Sequence, residues 1–175
     1  PHFFTEATAS SGVALATRNL TGWGMGLYDF DNDGHKDLFF ATSHFPGSEA
    51  FVQSPAALPN HVLRNRGNGF FEDVSSIAGK DFQRPALYHG AAFADFDNDG
   101  WPDIFVANGS FTSLTDSIPD EPRYREPLQL FHNNANGTFS DVSKPSGLNQ
   151  GTSQSRRGTA FGDVNNDGNI DVVVY

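Results

Sequence analysis

Several features that mark other protein classes are missing from this sequence of 175 residues. It has no cysteine, which excludes disulfides, thiolate zinc sites and cysteine catalysis within it. Helical heptads are absent, and no apolar run approaches the roughly 20 residues of a membrane helix, so we expect no membrane insertion by this segment. There is no nucleophile elbow, metal-binding His pair or phosphate-cradling glycine loop, so we do not expect an enzyme.

Positive charge is also scarce, with 11 Lys and Arg residues against 21 Asp and Glu residues and a formal net charge of -10. Phosphate binding needs clustered Lys and Arg, so nucleic acid is not an expected partner. The acidic residues are unevenly spread, because 11 of the 21 lie in three short loops. One divalent ion in each loop would change the charge from -10 to -4. The acidity is therefore mostly a sign of metal sites.

Aromatic residues and turn formers are abundant, with 17 Phe, 18 Gly and 10 Pro. This composition suits many short strands joined by tight turns. The sequence also repeats with a period of about 67 residues, which indicates a repeat architecture. Two phrases align in three copies each, and they begin at Phe4, Phe71 and Phe139 and at Gly24, Gly90 and Gly158.

Each repeat predicts four short strands separated by turns. In the second repeat the strands are expected near residues 91–96, 104–108, 128–133 and 138–142. An Asp-rich loop joins the first two strands, and Asn136-Gly137 is expected to supply the positive φ of a tight primed turn between the last two. Four antiparallel strands repeated radially form a propeller blade. We therefore predict an all-β fold of β-propeller blades.

The repeats divide the chain into four parts. Residues 1–12 are expected to hold the last strand of a preceding blade, over residues 3–7, while residues 13–79 and 80–147 form complete blades and 148–175 form the first half of another. Such blades bury both faces only when neighbouring blades stack against them. We therefore interpret the chain as a fragment of a longer propeller, whose remaining blades are its partners.

Each repeat carries a loop with the template D-x-[DN]-x-D-G-x-x-D, which is typical of a calcium site. Oxygen ligands at positions 1, 3, 5 and 9 and the backbone carbonyl of position 7 would give calcium about six or seven contacts, and Gly at position 6 permits the sharp turn. Magnesium prefers to keep several waters, and zinc prefers His or Cys. The ligands expected for about three Ca2+ ions are Asp29, Asp31, Asp33, His35 and Asp37 in loop 1 (29–37), Asp95, Asp97, Asp99, Trp101 and Asp103 in loop 2 (95–103), and Asp163, Asn165, Asp167, Asn169 and Asp171 in loop 3 (163–171).

Two alternatives to calcium loops of this kind are less consistent with the sequence. An EF-hand requires Glu at its twelfth position, where Phe40, Val106 and Val174 stand. Turn formation alone explains one Asp-rich loop but not three at one spacing. Without a cation, four carboxylates in nine residues would repel one another. Asn165 lowers the ligand charge of loop 3, so we expect loop 3 to bind calcium more weakly than the other two loops. In all three loops we expect calcium to have a structural role.

The loops, together with the phrase L-x-x-N-x-x-x-G-x-F-x-D-V-[ST] at residues 130–143, resemble the FG-GAP or VCBS repeats of integrin-α-like propellers. Residues 22–26 (G-W-G-M-G) and 157–163 (R-G-T-A-F-G-D) look like the final blades of the ASPIC/UnbV, or cartilage acidic protein, family. In that family an ASPIC/UnbV domain follows the propeller. The resemblance implies a secreted, extracellular or periplasmic protein of about seven blades, with calcium between the first and second strands.

Candidate ligand residues lie outside the metal loops. The long connections over residues 43–61 and 110–127 carry aromatic and cationic groups that suit an acidic glycan or a protein loop, although packing over the ring is the alternative. His89 and Arg157 precede a repeated Gly in register with Trp23, so we expect a common rim. The candidate ligand-binding residues are His44, His89, Arg123, Tyr124, Arg125 and Arg157.

The resemblance and these patterns together predict an extracellular module for protein or glycan binding or adhesion, with calcium in a structural role. The alternative is a calcium-dependent polysaccharide lyase or hydrolase on a propeller scaffold. Such an enzyme would need a general base beside an Arg in the central pocket. Tyr124 with Arg125, or His89, are the candidates for that role.

Overall fold

The structure is a computed structural model that describes residues 3–45, 47–48, 51, 53–117, 124–150 and 154–175. Within these residues the chain forms two four-stranded antiparallel sheets and one antiparallel pair of strands. The first sheet contains β1 (Gly22–Tyr28), β2 (Asp37–Thr42), β3 (His61–Asn65) and β4 (Phe71–Asp73). The second sheet contains β5 (Tyr88–Ala94), β6 (Asp103–Asn108), β7 (Gln129–Asn133) and β8 (Phe139–Asp141), and the pair contains β9 (Thr159–Gly162) and β10 (Asp171–Val174).

Neighbouring strands follow chain order in both four-stranded sheets, which is the arrangement of a propeller blade. The predicted all-β fold of blades is confirmed. Helices are short: α1 (Val13–Thr17) and two 3₁₀ segments (Ser75–Ile77 and Ser113–Ser117). In the part of the chain that the structure describes, none of them has the length and apolar character needed to cross a membrane.

Aromatic side chains from both complete sheets form one core. The ring of Phe39 in β2 lies 5.3 Å from that of Phe93 in β5, and the ring of Phe82 lies 5.5 Å from that of Phe131 in β7. All four side chains are buried, and burial of a Phe side chain contributes about 1.5–3 kcal/mol. The abundance of Phe therefore reflects packing of one blade on the next.

Glycine sets the distance between the first strands of successive sheets. A Cβ atom on Gly24 would lie 2.5 Å from the carbonyl oxygen of His89, and one on Gly90 would lie 2.5 Å from that of Arg157. Both contacts are with backbone atoms, which cannot move aside as a flexible side chain does. Gly24 and Gly90, which are aligned in the repeats, therefore let neighbouring first strands meet at backbone distance.

The D-V-S phrase ties the end of the fourth strand to the third. Ser75 Oγ accepts a hydrogen bond from Val62 N at 3.0 Å and donates one to Asp73 Oδ1 at 2.5 Å. In the second sheet, Ser143 Oγ accepts a hydrogen bond from Leu130 N at 2.9 Å. The hydroxyl thus continues the strand pairing one residue beyond the backbone ladder in both blades.

Residues 3–7 differ from the strand expected there. They have no strand partner in the described part of the chain, and the side chains of Phe3 and Phe4 are exposed. The corresponding strands β4 and β8 are each paired with a third strand. The assignment of residues 3–7 to a preceding blade stays a prediction.

The turn between the third and fourth strands also differs from expectation. In the first sheet it is the five-residue loop 66–70, and Gly67 and Gly69 have positive φ while Asn68 does not. Asn68 instead accepts a hydrogen bond from Phe70 N on its Oδ1 at 3.1 Å. The predicted turn at Asn136-Gly137 lies in the corresponding five-residue loop 134–138. Gly137 has the expected positive φ, but Asn136 does not, and its Oδ1 accepts a hydrogen bond from Thr138 N at 3.1 Å, so the prediction of a tight primed turn was wrong.

Candidate metal centre

All three Asp-rich loops join the first and second strands of their sheet. Loop 1 follows β1, loop 2 follows β5 and loop 3 follows β9, and the aspartate at position 9 is in each case the first residue of the next strand. Residues three positions later, where an EF-hand would carry Glu, lie inside β2, β6 and β10. The loops are therefore hairpin connections rather than loops between helices.

The aspartate at position 1 organises the backbone of each loop. In loop 1, Asp29 Oδ1 accepts a hydrogen bond from Asp33 N at 3.0 Å, and its Oδ2 accepts one from Gly34 N at 2.9 Å. Asp95 and Asp163 accept the same two bonds in their loops at distances of 2.8 to 3.0 Å. In all three loops the carboxylate at position 5 accepts a bond from the N–H of position 7. One local structure is thus repeated three times.

Two positions in each loop have a left-handed backbone. Gly at position 6 has φ between 88° and 91°, which agrees with the sharp turn predicted there. Position 4 also has positive φ, between 54° and 60°, and the sequence template left that position open. Asn tolerates this conformation better than most residues. The signal was present in the sequence, since the fourth residue is Asn in all three copies: Asn32, Asn98 and Asn166.

The aspartate at position 9 is buried beneath the loop. Asp37 is 3% exposed, and its Oδ2 and Oδ1 atoms accept hydrogen bonds from Phe30 N at 3.1 Å and Asn65 N at 2.8 Å. Asp103 is 2% exposed and accepts the corresponding pair of bonds in loop 2. Each carboxylate oxygen has a further lone pair, so these bonds leave it able to bind a cation. Position 9 therefore connects the loop to both the second and third strands.

Burial makes the position 9 carboxylates difficult to ionise in the absence of a cation. It raises the pKa of Asp37 to about 6, and the nearby charges of Asp31 and Asp33 add to the rise. Burial also raises the pKa of Asp103, with a further contribution from the charge of Asp97. A divalent ion among these groups would offset both effects.

The carboxylates of loops 1 and 2 converge at distances that suit a single ion. Oxygens lie within 4.8 Å of one another in two sets, Asp29, Asp31 and Asp33, and Asp95, Asp97 and Asp103. Two ligands that each lie about 2.4 Å from one calcium ion are at most about 4.8 Å apart. In loop 1, Asp31 Oδ1 is buried and has no hydrogen-bond partner. A buried oxygen left unpaired is costly, and a cation would satisfy it.

Loop 3 is already partly neutralised by side-chain amides. Asn165 and Asn169 each donate a hydrogen bond from Nδ2 to a carboxylate oxygen of Asp167 at 3.0 Å. The backbone N–H of Asn169 and the amide of Asn165 lower the pKa of Asp167. At position 9, Asp171 Oδ2 accepts a bond from Val164 N at 2.9 Å. The loop has the same backbone as the others but presents fewer carboxylates to an ion.

The third strand places a cationic or titratable side chain against the loop, which the sequence patterns had not indicated. Arg64 Nε lies 2.8 Å from Asp31 Oδ2 in loop 1. His132 occupies the same repeat position, and its Nδ1 lies 3.1 Å from Asp97 Oδ2 and 3.4 Å from Asp103 Oδ1 in loop 2. Both residues immediately precede the Asn of the repeated phrase, which was the available signal.

Loops 1 and 2 are linked to each other. Asn32 Nδ2 donates a hydrogen bond to the carbonyl oxygen of Gly100 at 3.1 Å. Asn133, the repeated Asn of β7, donates from its Nδ2 to the carbonyl oxygens of Phe30 at 2.8 Å and Pro102 at 3.1 Å. An ion that orders one loop would therefore also constrain its neighbour.

A cavity lies at the opposite end of the first strands. The metal loops follow the ends of β1, β5 and β9, whereas a cavity of about 860 Å³ lies at their beginnings. Trp23, His89 and Arg157 all line it, as their common register predicted. Phe45 and Phe111 from the two long connections line it as well. Ligand binding by these residues stays a prediction.

The other candidate ligand residues lie elsewhere. His44 is buried, with its Nδ1 2.9 Å from Thr21 Oγ1, and it does not line the cavity. Tyr124 and the exposed Arg125 are also absent from the cavity lining. Arg123 lies outside the described residues. The structure therefore brings together two of the six candidates, His89 and Arg157.

A comparison with known protein families identifies the family of these repeats. A family model described as an FG-GAP-like repeat matches residues 29–106, which contain loops 1 and 2, and residues 117–174, which contain loop 3. No curated protein sequence matches the chain. The family match covers well over half of the sequence and includes all three acidic hairpin loops. The chain therefore belongs to the FG-GAP-like repeat family.

Proposed function

We propose that this chain is a calcium-binding part of an extracellular or periplasmic β-propeller that binds protein or glycan. The observation that carries the proposal is the threefold repetition of one acidic hairpin loop, with carboxylate oxygens within 4.8 Å of one another in two of the copies. Calcium prefers about six to eight oxygen ligands, and carboxylates and backbone carbonyls are its usual ones. The oxygens available in these loops are carboxylates, backbone carbonyls and, in loop 3, the side-chain amide oxygen of Asn165.

The ligands in loop 1 would be the side chains of Asp29, Asp31, Asp33 and Asp37 and the carbonyl oxygen of His35, with the corresponding residues in the other loops. Calcium would supply positive charge where four acidic groups meet at one hairpin. Because position 9 also accepts a hydrogen bond from the third strand, the ion would hold three strands together. This geometry supports a structural role for the metal.

Within the family, we place the chain nearest to the ASPIC/UnbV proteins. Support comes from residues 22–26 and 157–163, whose sequences resemble the final blades of those proteins. A location outside the cytoplasm is part of the same proposal. Calcium sites of extracellular modules work at about 10⁻⁴–10⁻³ M calcium, a concentration that suits loops whose main task is to stabilise a fold.

Further blades of the same chain are the proposed intramolecular partners. Met25 and Leu27 in β1 are 60% and 49% exposed, and Phe161 and Val173 in the last strand pair are 42% and 54% exposed. Apolar side chains in these numbers on sheet faces are unusual unless another element covers them. A blade on either side would bury them as β1 and β5 already bury each other's faces.

We propose binding rather than turnover as the activity of the module. Tyr124 and Arg125 are not part of the cavity lining, whereas His89, the other candidate for a lyase base, lines it beside Arg157, so the enzyme alternative depends on His89. The test applies the intact protein to glycan arrays and to a panel of extracellular proteins, in millimolar calcium and in EDTA. We expect retention of a glycan or protein partner without its conversion. Sustained depolymerisation of a bound polysaccharide would contradict the proposal.

A further inference from the structure

The cavity at the beginnings of the first strands has a continuous aromatic wall. The ring centroids of Trp23 and Phe45 are 5.3 Å apart, and those of Phe45 and Phe111 are 5.0 Å apart. Trp23 Nε1 donates a hydrogen bond to the carbonyl oxygen of Ser43 at 2.9 Å, which fixes the indole. The rings meet edge to face, at interplanar angles of 75° and 78°, so they form an angled wall in which the indole face of Trp23 is preorganised for a ligand.

A neutral histidine lies beside this wall. The ring of His89 is 4.7 Å from that of Trp23, and its Nδ1 lies 3.1 Å from the carbonyl oxygen of Leu87. Since a carbonyl oxygen only accepts, Nδ1 carries the hydrogen and Nε2 keeps a lone pair. Burial lowers the pKa of His89, and the charge of Arg157 lowers it further. The imidazole is therefore a hydrogen-bond acceptor at neutral pH.

The cavity also contains one uncompensated positive charge. Arg157 lines it and is exposed, and no carboxylate of the described residues lies within 4.0 Å of its guanidinium. The guanidinium forms paired hydrogen bonds with carboxylates and is well suited to recognise them. One arginine among the described lining residues, in a protein of net charge -10, suits one carboxylate rather than a polyphosphate.

We propose that this cavity binds a uronic acid residue of an acidic glycan. The carboxylate would pair with Arg157, a hydroxyl would donate to His89 Nε2, and the apolar face of the pyranose ring would pack on Trp23. A volume of about 860 Å³ lies within the range of roughly 300–1,000 Å³ typical of ligand sites. An acidic peptide offers a carboxylate but few hydroxyl donors. The acceptor His89 Nε2 and the aromatic wall therefore favour a uronic acid, which has both hydroxyls and an apolar ring face. This inference names the ligand class of the binding function proposed above and rests on it.

The test is calorimetry of the intact protein in calcium with trigalacturonate and with the same trisaccharide after reduction of its carboxyl groups. We expect binding of the acidic form and at least about tenfold weaker binding of the reduced form, since a charge-assisted hydrogen bond contributes about 1.5–3 kcal/mol. Arg157→Gln should weaken trigalacturonate binding by a similar factor. Arg156→Gln is the matched control, because Arg156 is the neighbouring arginine and lies outside the cavity lining. Phe111→Ala, at an exposed wall residue, should also weaken binding.

Several outcomes would overturn the inference: no binding of trigalacturonate, equal binding of the reduced trisaccharide, equal losses in Arg156→Gln and Arg157→Gln, or equal displacement by a Gly-Asp-Gly peptide. Calcium uptake is measured on every variant. A variant that still binds calcium but no longer binds the trisaccharide has lost binding at the cavity. If Arg157→Gln fails to fold, Phe111→Ala tests whether the cavity binds the trisaccharide. Failure of the unsubstituted protein to take up calcium would instead contradict the metal proposal. The comparison of the two trisaccharides would still show whether the cavity binds a uronic acid.

Discussion

Arg64 Nε in β3 lies 2.8 Å from Asp31 Oδ2 in loop 1 and forms an ion pair with it. At the same position of the second sheet, His132 places its Nδ1 3.1 Å from Asp97 Oδ2 in loop 2. Loop 1 therefore has a guanidinium beside a proposed calcium ligand, whereas loop 2 has an imidazole at the same position.

Replacement of Arg64 by Gln should strengthen calcium binding at loop 1. The guanidinium competes with the ion for Asp31, and this half-buried ion pair is worth about 0.5–1 kcal/mol, so we expect about two- to fivefold higher affinity. Titration calorimetry measures the change. Arg66→Gln is the control, because Arg66 pairs with Glu72 instead of a loop carboxylate. Weaker calcium binding in Arg64→Gln would show that the arginine helps to form the site.

Calcium affinity at loop 1 should fall in mild acid. The pKa of Asp37 is raised from an unfolded value of about 3.9 to about 6, so the metal-free fold holds this proton more tightly than the unfolded chain does. That contribution to stability is fully present below about pH 4 and is lost as the pH rises through about 6. Calcium needs the carboxylate, so protons compete with it.

We expect about tenfold weaker binding at loop 1 at pH 5 than at pH 7, because only a small fraction of Asp37 is then ionised. Calorimetry at the two pH values measures this ratio. Asp37→Asn should bind calcium more weakly at pH 7 and show little further change at pH 5. A wild-type affinity that is the same at both pH values would exclude Asp37 as a ligand that must lose its proton.

Much of the metal centre could be predicted from the sequence because it is local. Nine consecutive residues contain the acidic ligands, and the required Gly lies among them, so one linear template describes each loop. The partners of these loops are not local. Arg64 meets Asp31 only because β2 and β3 pair in one register, with Leu38 opposite Leu63. No spacing between Arg64 and the loop identifies that contact in advance.

The turns and the cavity also depend on contacts that could not be predicted from the sequence. Asn-Gly suits a primed turn, yet at Asn68 the hydrogen bond from Phe70 N to the side chain determines a longer loop. The rim of Trp23, His89 and Arg157 was expected from register, but its aromatic wall depends on two long connections whose course the sequence does not specify. Contacts that depend on how separate sheets pack require the folded structure.

Substitution of Gly24 by Ala should destabilise the packing of the first two sheets. A Cβ there would lie 2.5 Å from the carbonyl oxygen of His89 and 2.6 Å from the nitrogen of Ala91. Overpacking of this kind costs about 1–3 kcal/mol, and we expect a value near the upper end because backbone atoms are involved. Denaturant unfolding measures the loss.

Gly162→Ala is the matched control for that substitution. Gly162 also lies in a first strand, but nothing lies within 4 Å of the position its Cβ would occupy. We expect unchanged stability or a gain of up to about 1 kcal/mol from reduced freedom of the unfolded chain. Equal effects of Gly24→Ala and Gly162→Ala would mean that close contact between β1 and β5 does not hold the sheets together.

Chelation should lower the melting temperature of the protein. An ion that binds only the folded form stabilises it by about 2.7 kcal/mol per site at one hundred times its dissociation constant, which corresponds to a rise of about 5 °C or more. Differential scanning calorimetry in calcium and in EDTA measures the difference. In Asp97→Ala the calcium-dependent rise should be smaller, and in Glu6→Ala, an exposed acid outside the loops, it should be unchanged. Identical melting in calcium and EDTA would argue against a structural metal.

The stoichiometry of calcium uptake by the metal-stripped intact protein tests the central claim most directly. Combined substitution of Asp33, Asp99 and Asp167 by Ala removes the position 5 ligand from all three loops, and we expect the number of bound calcium ions to fall by three. Combined substitution of the exposed acids Glu6, Asp81 and Asp116 by Ala changes the charge equally and should leave the number unchanged. The same stoichiometry in both variants and the unsubstituted protein would contradict the assignment of calcium to these loops.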